Sequence, residues 1–132
     1  MLLIIVVLAS FLLNVVSTDT LNGQAKSAFK ELNVIYNRKI DWSDELEKRA
    51  LEYLNSPESV KAGMMIKGKK TFPTSDTSSL GIKVWNAFKG RFKKNEKKIR
   101  GLPEGTKYGC NIIFKTTAKK QILNGVCLYE KK

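Results

Sequence analysis

The 132-residue sequence contains no histidine and only two cysteines. Without His there is no Ser-His-Asp triad, no Cys-His pair, no His-ligated zinc and no imidazole general base. A structural zinc site made of cysteine alone needs four thiolates. No Asn stands two residues before a Ser or Thr, so N-glycosylation has no acceptor. Acidic side chains are also few, 12 against 24 Lys and Arg, which leaves a formal net charge of +12.

The first long feature that is present is apolar. Residues 2–13 read LLIIVVLASFLL, and Val15 and Ser17 are small enough for signal-peptidase cleavage after Ser17. This is the layout of a secretory signal peptide, although the stretch before the apolar run carries no Lys or Arg. A membrane anchor is the alternative. The run from Leu2 to Val16 contains Asn14 and falls short of the roughly 20 residues that a span requires. The expected organisation is a signal peptide over 1–17, a polar, mobile lead-in over 18–23 and a single domain over 24–132. The expected localisation is secreted and extracellular.

Charge divides the mature chain unevenly. Residues 18–58 hold 6 basic and 8 acidic side chains, whereas 59–132 hold 18 basic and 4 acidic. Such an asymmetry fits either an anionic partner for the second half or a lysine-rich solvated face.

Periodicity predicts three helices. Ala25, Ala28, Phe29, Leu32, Ile35 and Tyr36 draw one apolar stripe over 24–36. Ser43 is a good N-cap for a helix over 43–54. Asp44, Glu45 and Glu47 fill its first turn, and Leu46, Ala50, Tyr53 and Leu54 form its buried side. Trp42, just before the cap, is placed to fold back as a staple. Pro57 stops that helix and can open a short one running to Ala62. Gly63, Gly68, Pro73 and the Ser-rich run at 75–79 read mostly as loop. A third helix over 80–95 places Val84, Trp85, Phe88, Phe92 and Ile99 on one side, with Gly90 weakening its centre.

The last segment reads as a β-hairpin. Residues 108–114 and 122–129 flank a polar turn at 117–120. A turn centred between Ala118 and Lys119 sets Cys110 opposite Cys127, Ile112 opposite Gly125, Phe114 opposite Leu123 and Tyr108 opposite Tyr129. Two Cys in a secreted chain most simply make one disulfide, and directly opposed residues permit it.

Few motifs carry chemistry. GMMIKGKK at 63–70 nearly spells a phosphate-binding loop, but Lys70 stands where Ser or Thr is needed and no clear strand precedes it; it reads as a basic loop. Asp41, Asp44, Glu45, Glu47 and Glu52 are the carboxylates available for acid/base work. Most of them sit where a helix N-terminus favours negative charge. Residues 83–100 are strongly basic. Lys89, Arg91, Lys93, Lys94, Lys97, Lys98 and Arg100 are candidates for binding an anionic surface, with Trp85, Phe88 and Phe92 opposite them. Anionic lipid, glycosaminoglycan or a simple solvated face all fit this pattern.

The segment IDWSDELEKRALEYL at 40–54 resembles the opening of a CAP domain, the superfamily of cysteine-rich secretory, antigen 5 and pathogenesis-related 1 proteins. Leu32 and Asn33 match the family's first helix; Trp42, Glu45, Leu46 and Ala50 match the segment after it. The helix around Trp85 resembles a later Trp-bearing helix. Tyr108-Gly109-Cys110 and Val126-Cys127-Leu128-Tyr129 resemble the closing strand pair, whose two cysteines are commonly bonded. The likeness is strongest to short, divergent secreted members found in nematodes. It implies an α+β fold, a reduced CAP-like domain of about three helices on a small antiparallel sheet with a disulfide-closed C-terminal hairpin. The implied structural positions are Trp42, Leu46, Ala50, Trp85, Cys110, Cys127 and Tyr129.

The His-containing signature of that superfamily is absent, so no catalytic or metal-binding residue carries over, and no cofactor, metal or nucleotide is expected. The resulting expectation is a secreted, non-catalytic protein with an extracellular binding or modulatory role. The alternative is a basic effector that binds anionic membranes or glycosaminoglycans through 83–100.

Overall fold

A computed structural model describes residues 21–131. The expected signal peptide and the first part of the lead-in lie outside them. Helix α1, Gly23–Tyr36, starts at Asn22, whose side chain accepts from the amides of Gln24 and Ala25. It buries Ala25, Ala28, Phe29, Leu32 and Asn33. Leu21 and Asn22, read as lead-in from sequence, are part of the fold, because Leu21 is buried and its N–H donates to Glu47.

Asp41–Trp42 forms a two-residue strand, β1. Helix α2, Asp44–Asn55, follows, and the Ser43 hydroxyl accepts from the Leu46 N–H as its N-cap. The staple expected of Trp42 is made by a hydrogen bond: its indole Nε1 donates to Glu47 at 3.2 Å. Beyond α2, the short helix expected over 57–62 is a single 3₁₀ turn at Pro57–Ser59.

The main departure from the sequence reading follows. Met64–Pro73, expected as loop, is a ten-residue strand, β2. The apparent phosphate-loop lysines therefore lie on extended backbone. Only Ile66 and Thr71 in this stretch are β-branched, and three lysines and a glycine interrupt any apolar alternation. Pairing with the C-terminal strand across all ten residues, not local propensity, makes it a strand.

Helix α3, Leu80–Lys94, is capped by Ser79, and the short α4, Glu96–Arg100, continues after Asn95. Strands β3, Lys107–Thr116, and β4, Lys120–Glu130, form the predicted hairpin. Its register is the one read from the sequence: Tyr108–Tyr129, Cys110–Cys127, Ile112–Gly125 and Phe114–Leu123 are opposed. Cys110 and Cys127 are joined as a disulfide.

The protein is thus α+β, with strands in the order β1-β3-β4-β2. The expectation of a purely antiparallel sheet is corrected at one edge, where β1 pairs with β3 in parallel. Helices cover both faces. On the first face, Phe29, Phe88, Phe92 and Ile99 pack with Cys110, Leu123, Cys127 and Tyr129. On the second, Leu46, Ala50 and Val60 pack with Val126 and Leu128. Alternation along β4 sends odd-numbered residues to one core and even-numbered residues to the other.

Glycines set how closely helices approach the sheet. A Cβ at Gly68 or Gly125 would lie 2.9 Å from the Phe88 ring. At Gly109 it would overlap the Glu47 amide nitrogen, where α2 meets β3 backbone to backbone. Burial of the small domain depends on these contacts.

Candidate anionic-ligand surface

The expected basic face is built by α3 and α4. Val84, Phe88, Phe92 and Ile99 are fully buried on the inner side, while Lys89, Arg91, Lys93, Lys94, Lys97 and Lys98 are exposed on the outer side. Asn95 joins the two helices. Its side chain donates to the Arg91 carbonyl at 2.8 Å, and its own carbonyl accepts from the Ile99 N–H. Trp85 is partly buried against the core.

Two cations of this stretch are engaged elsewhere. Arg100 pairs with Glu96 at 2.9 Å and stacks on Tyr36. Lys83, counted with the basic run from sequence, is buried: its ammonium pairs with Asp76 at 3.2 Å, donates to the Ser78 carbonyl and lies over Phe72. Hydrogen bonds from the Ser78 side chain and backbone, with a smaller contribution from Lys83, hold the Asp76 carboxyl below its ordinary value. This cluster fastens the 74–79 connection to α3 and takes no part in an outer surface. Among the described residues, Lys89, Arg91, Lys93, Lys94, Lys97 and Lys98 form no ion pair.

A second basic region was not legible from sequence. It comprises Lys67 and Lys69 on β2 with Lys115, Lys119 and Lys120 at the distal end of the hairpin, all exposed, whereas Lys70 alternates to the opposite face and lies over Phe72. The charge asymmetry signalled that such residues existed. Only recognition of β2 as a strand could have placed them together.

The candidate carboxylates are dispersed. Glu47 is buried and receives the Leu21 N–H and the Trp42 indole, with Lys26 at 3.6 Å. Asp41 pairs with Lys107 at 3.7 Å, and Asp44 with Lys26 at 3.5 Å. Glu45 and Glu52 are exposed. A groove of about 780 Å³ runs between the start of β2 and α4, lined by Met64, Met65, Lys97, Lys98, Leu102 and Glu130. Its one carboxylate, Glu130, is bound by Arg49 at 2.6 Å. A smaller groove beside α2 holds Glu52 as its only acid. Among the described residues no group of three or more Cys, Asp or Glu is placed to hold a metal ion, and no helix is long and apolar enough to cross a membrane.

The positions that carried the sequence resemblance are structural in the fold. Leu46 and Ala50 are core. Trp42 packs edge-on to Tyr108 at 5.4 Å, with Lys26 and Lys30 over its ring. Tyr108 stacks on Tyr129, whose hydroxyl donates to the buried Asn33 at 2.6 Å. Burial, and secondarily the nearby Asp41, pushes the Tyr108 phenol up to about 12. Burial likewise holds Tyr129 well above the ordinary tyrosine value.

Comparison with known proteins supplies the relationship. Residues 28–131 match the family model of the 15 kDa excretory/secretory protein. A 30 kDa antigenic glycoprotein of Trichostrongylus colubriformis is 30% identical over 111 residues, covering 84% of this chain and 82% of the relative. A 15 kDa excretory/secretory protein of Haemonchus contortus is 33% identical over 93 residues, covering 67% of this chain and 63% of the relative. No solved structure matches the chain. None of these matches names the CAP superfamily. The chain belongs to the 15 kDa excretory/secretory protein family of nematodes and is a secreted, extracellular protein.

Proposed function

We propose that this protein acts outside the cell by non-catalytic binding, and that the outer face of α3 and α4 engages an anionic polymer of the glycosaminoglycan type. The observation that carries this reading is the division of the helix pair: Lys89, Arg91, Lys93, Lys94, Lys97 and Lys98 face outward without ion-pair partners among the described residues, while Phe88 and Phe92 are fully buried and Trp85 is partly buried. An amphipathic helix that docks on a bilayer needs its apolar face available for lipid. Here Phe88 and Phe92 are committed to the core, so charge is the principal means of attraction left to this face. That favours a sulfated or carboxylated chain over lipid insertion. The non-catalytic part of the proposal is supported by the dispersal of the acids, each groove holding one.

The same proposal includes a divergent CAP-like ancestry. Its support is limited to the shared positions themselves: Leu46 and Ala50 in one core, Trp42 against the other, and the bonded Cys110–Cys127 pair.

Heparin affinity tests the binding reading. The protein should be retained, and its elution should move to lower salt in a variant with Lys93, Lys94, Lys97 and Lys98 all changed to Ser. The salt dependence of binding should also become shallower, since each lost contact removes counterion release. Unchanged elution of that variant, with an unchanged melting temperature, would overturn the assignment of this face.

A further inference from the structure

The second face of the sheet is covered over only half its length. Helix α2 lies along β3 and β4, and Leu46 and Ala50 close over Val126 and Leu128. Beyond α2 no described element covers the three strands, and their pairing fixes what they present. Lys69, Asn124 and Ile113 form one row; Thr71, Ile122 and Lys115 form the next. Lys67 stands before the first row, 5.2 Å from the Tyr53 ring at the edge of α2. Lys120 closes the far end, opposite Pro73. Ile113 and Ile122 are half-buried, while the four lysines are exposed. No acidic residue occurs in 64–73 or 112–124, and none of these lysines makes an ion pair among the described residues.

The shape of the patch follows from side-chain length. A lysine reaches further from a sheet than an isoleucine, so Ile122 on the central strand and Ile113 diagonal to it on β3 sit below the lysines of β2 and of the distal end. A flat bilayer or a sulfated chain would meet the ammonium groups and leave the two isoleucines uncovered. The complement is a convex apolar ridge with acidic flanks. Three strands spaced about 4.8 Å apart give a width of about 10 Å, the diameter of a helix. The molecule already contains one example on this same face, since α2 presses Leu46 and Ala50 onto the sheet and carries Asp44, Glu45, Glu47 and Glu52.

We propose that the open half of this sheet face docks an acidic amphipathic helix of a partner protein, set beside α2 and chemically similar to it. The apolar ridge would cover Ile113 and Ile122, and its carboxylates would meet Lys67, Lys69, Lys115 and Lys120. Apolar contacts flanked by polar residues are the usual form of such interfaces, and the flanking lysines would favour encounter with acidic helices over basic ones.

The test uses the folded protein and a labelled, helix-stapled peptide with leucines on one face and glutamates on the other. Two controls accompany it: a scrambled peptide of the same composition that disperses the leucines, and one with lysines replacing the glutamates. The acidic amphipathic peptide should bind, and both controls should bind at least about tenfold more weakly, a difference of about 1.4 kcal/mol. Combined Lys69→Glu and Lys115→Glu changes should produce a loss of similar size, whereas Lys94→Ser with Lys98→Ser should leave binding within about twofold. Should the charge-reversed protein fail to fold, amide shifts of the unaltered protein decide. Perturbation centred on 67–71, 113–115 and 120–124 supports the proposal. It falls if the peptide does not bind, if the scrambled peptide binds equally, or if the shifts map to α3 and α4. It falls equally if heparin or phosphatidylserine vesicles perturb these amides and the peptide does not.

Discussion

The two faces of the sheet are closed in different ways. On the first, α3 reaches the strands through a side chain: the Phe88 ring rests against Gly68 and Gly125 and meets Phe29 edge-on at 4.9 Å. On the second, α2 reaches β3 through its backbone at Gly109. The first mode leaves room for a broad aromatic core along the sheet. The second brings a helix end very close but seals only what lies beneath it, and the remaining strand surface stays open. Both exposed basic surfaces follow from this. On the α3–α4 side Val84, Phe88, Phe92 and Ile99 are enclosed and the outer surface is mostly basic; on the open half-sheet, isoleucines remain among the lysines.

Substitutions can break or sharpen this contrast. The largest effect is expected at Gly109. An added methyl would need to displace α2 backbone, so Gly109→Ala should destabilise by about 3 kcal/mol or prevent folding. Gly125→Ala meets the ring edge of Phe88 and a methyl of Ile112, groups that can shift, and should destabilise less, by about 1–2 kcal/mol. Denaturant unfolding of the two variants measures the difference, and equal effects would remove the distinction between backbone and side-chain contact.

Alkali probes the first face through its two buried phenols. Tyr108 and Tyr129 are both raised, so the stability gained by keeping their phenols neutral is intact below the ordinary tyrosine value of 10.0. It is lost as the pH climbs toward the folded values, about 12 for Tyr108. Phenolate absorbance and far-UV dichroism should therefore show these two groups ionising together with unfolding. Ionisation of either in an intact fold would show that the core is wetter than its packing indicates.

The smallest change is expected on the outer surface of α3. A Cβ at Gly90 meets nothing within 4 Å, so Gly90→Ala should stabilise by up to about 1 kcal/mol through helix propensity. A rise in melting temperature with unchanged heparin elution would show that this surface is free of packing constraint. A fall would place an unrecognised contact there.

Much of the fold was legible because local rules agreed with one another. Ser43 with Asp44, Glu45 and Glu47 marked a helix start, and the stripe from Val84 to Phe92 marked a buried face. The polar turn at 117–120 fixed the hairpin register and with it the cysteine pair. β2 was not legible, because its lysines and Gly68 mask the alternation of Ile66 and Phe72. Lys83 was read as part of the basic run for a similar reason: nothing in the sequence distinguishes an ammonium that will be enclosed by Asp76 and Ser78 from its solvated neighbours. The basic candidates after residue 88 could be identified from sequence because helical spacing alone sets cations opposite aromatics. The sheet patch could not, since its lysines come from two segments more than 40 residues apart.

The sequence by itself determined the excluded chemistries, the helix ends, the hairpin register and the disulfide, because each depends on composition or on residues a few positions apart. Tertiary structure alone decided that a lysine-rich stretch is a strand, that Lys83 and Glu47 are enclosed, and that half of one sheet face stays open. Those outcomes depend on which distant segments exclude water from one another, and hydrophobic burial and strand pairing settle that only when the whole chain has folded.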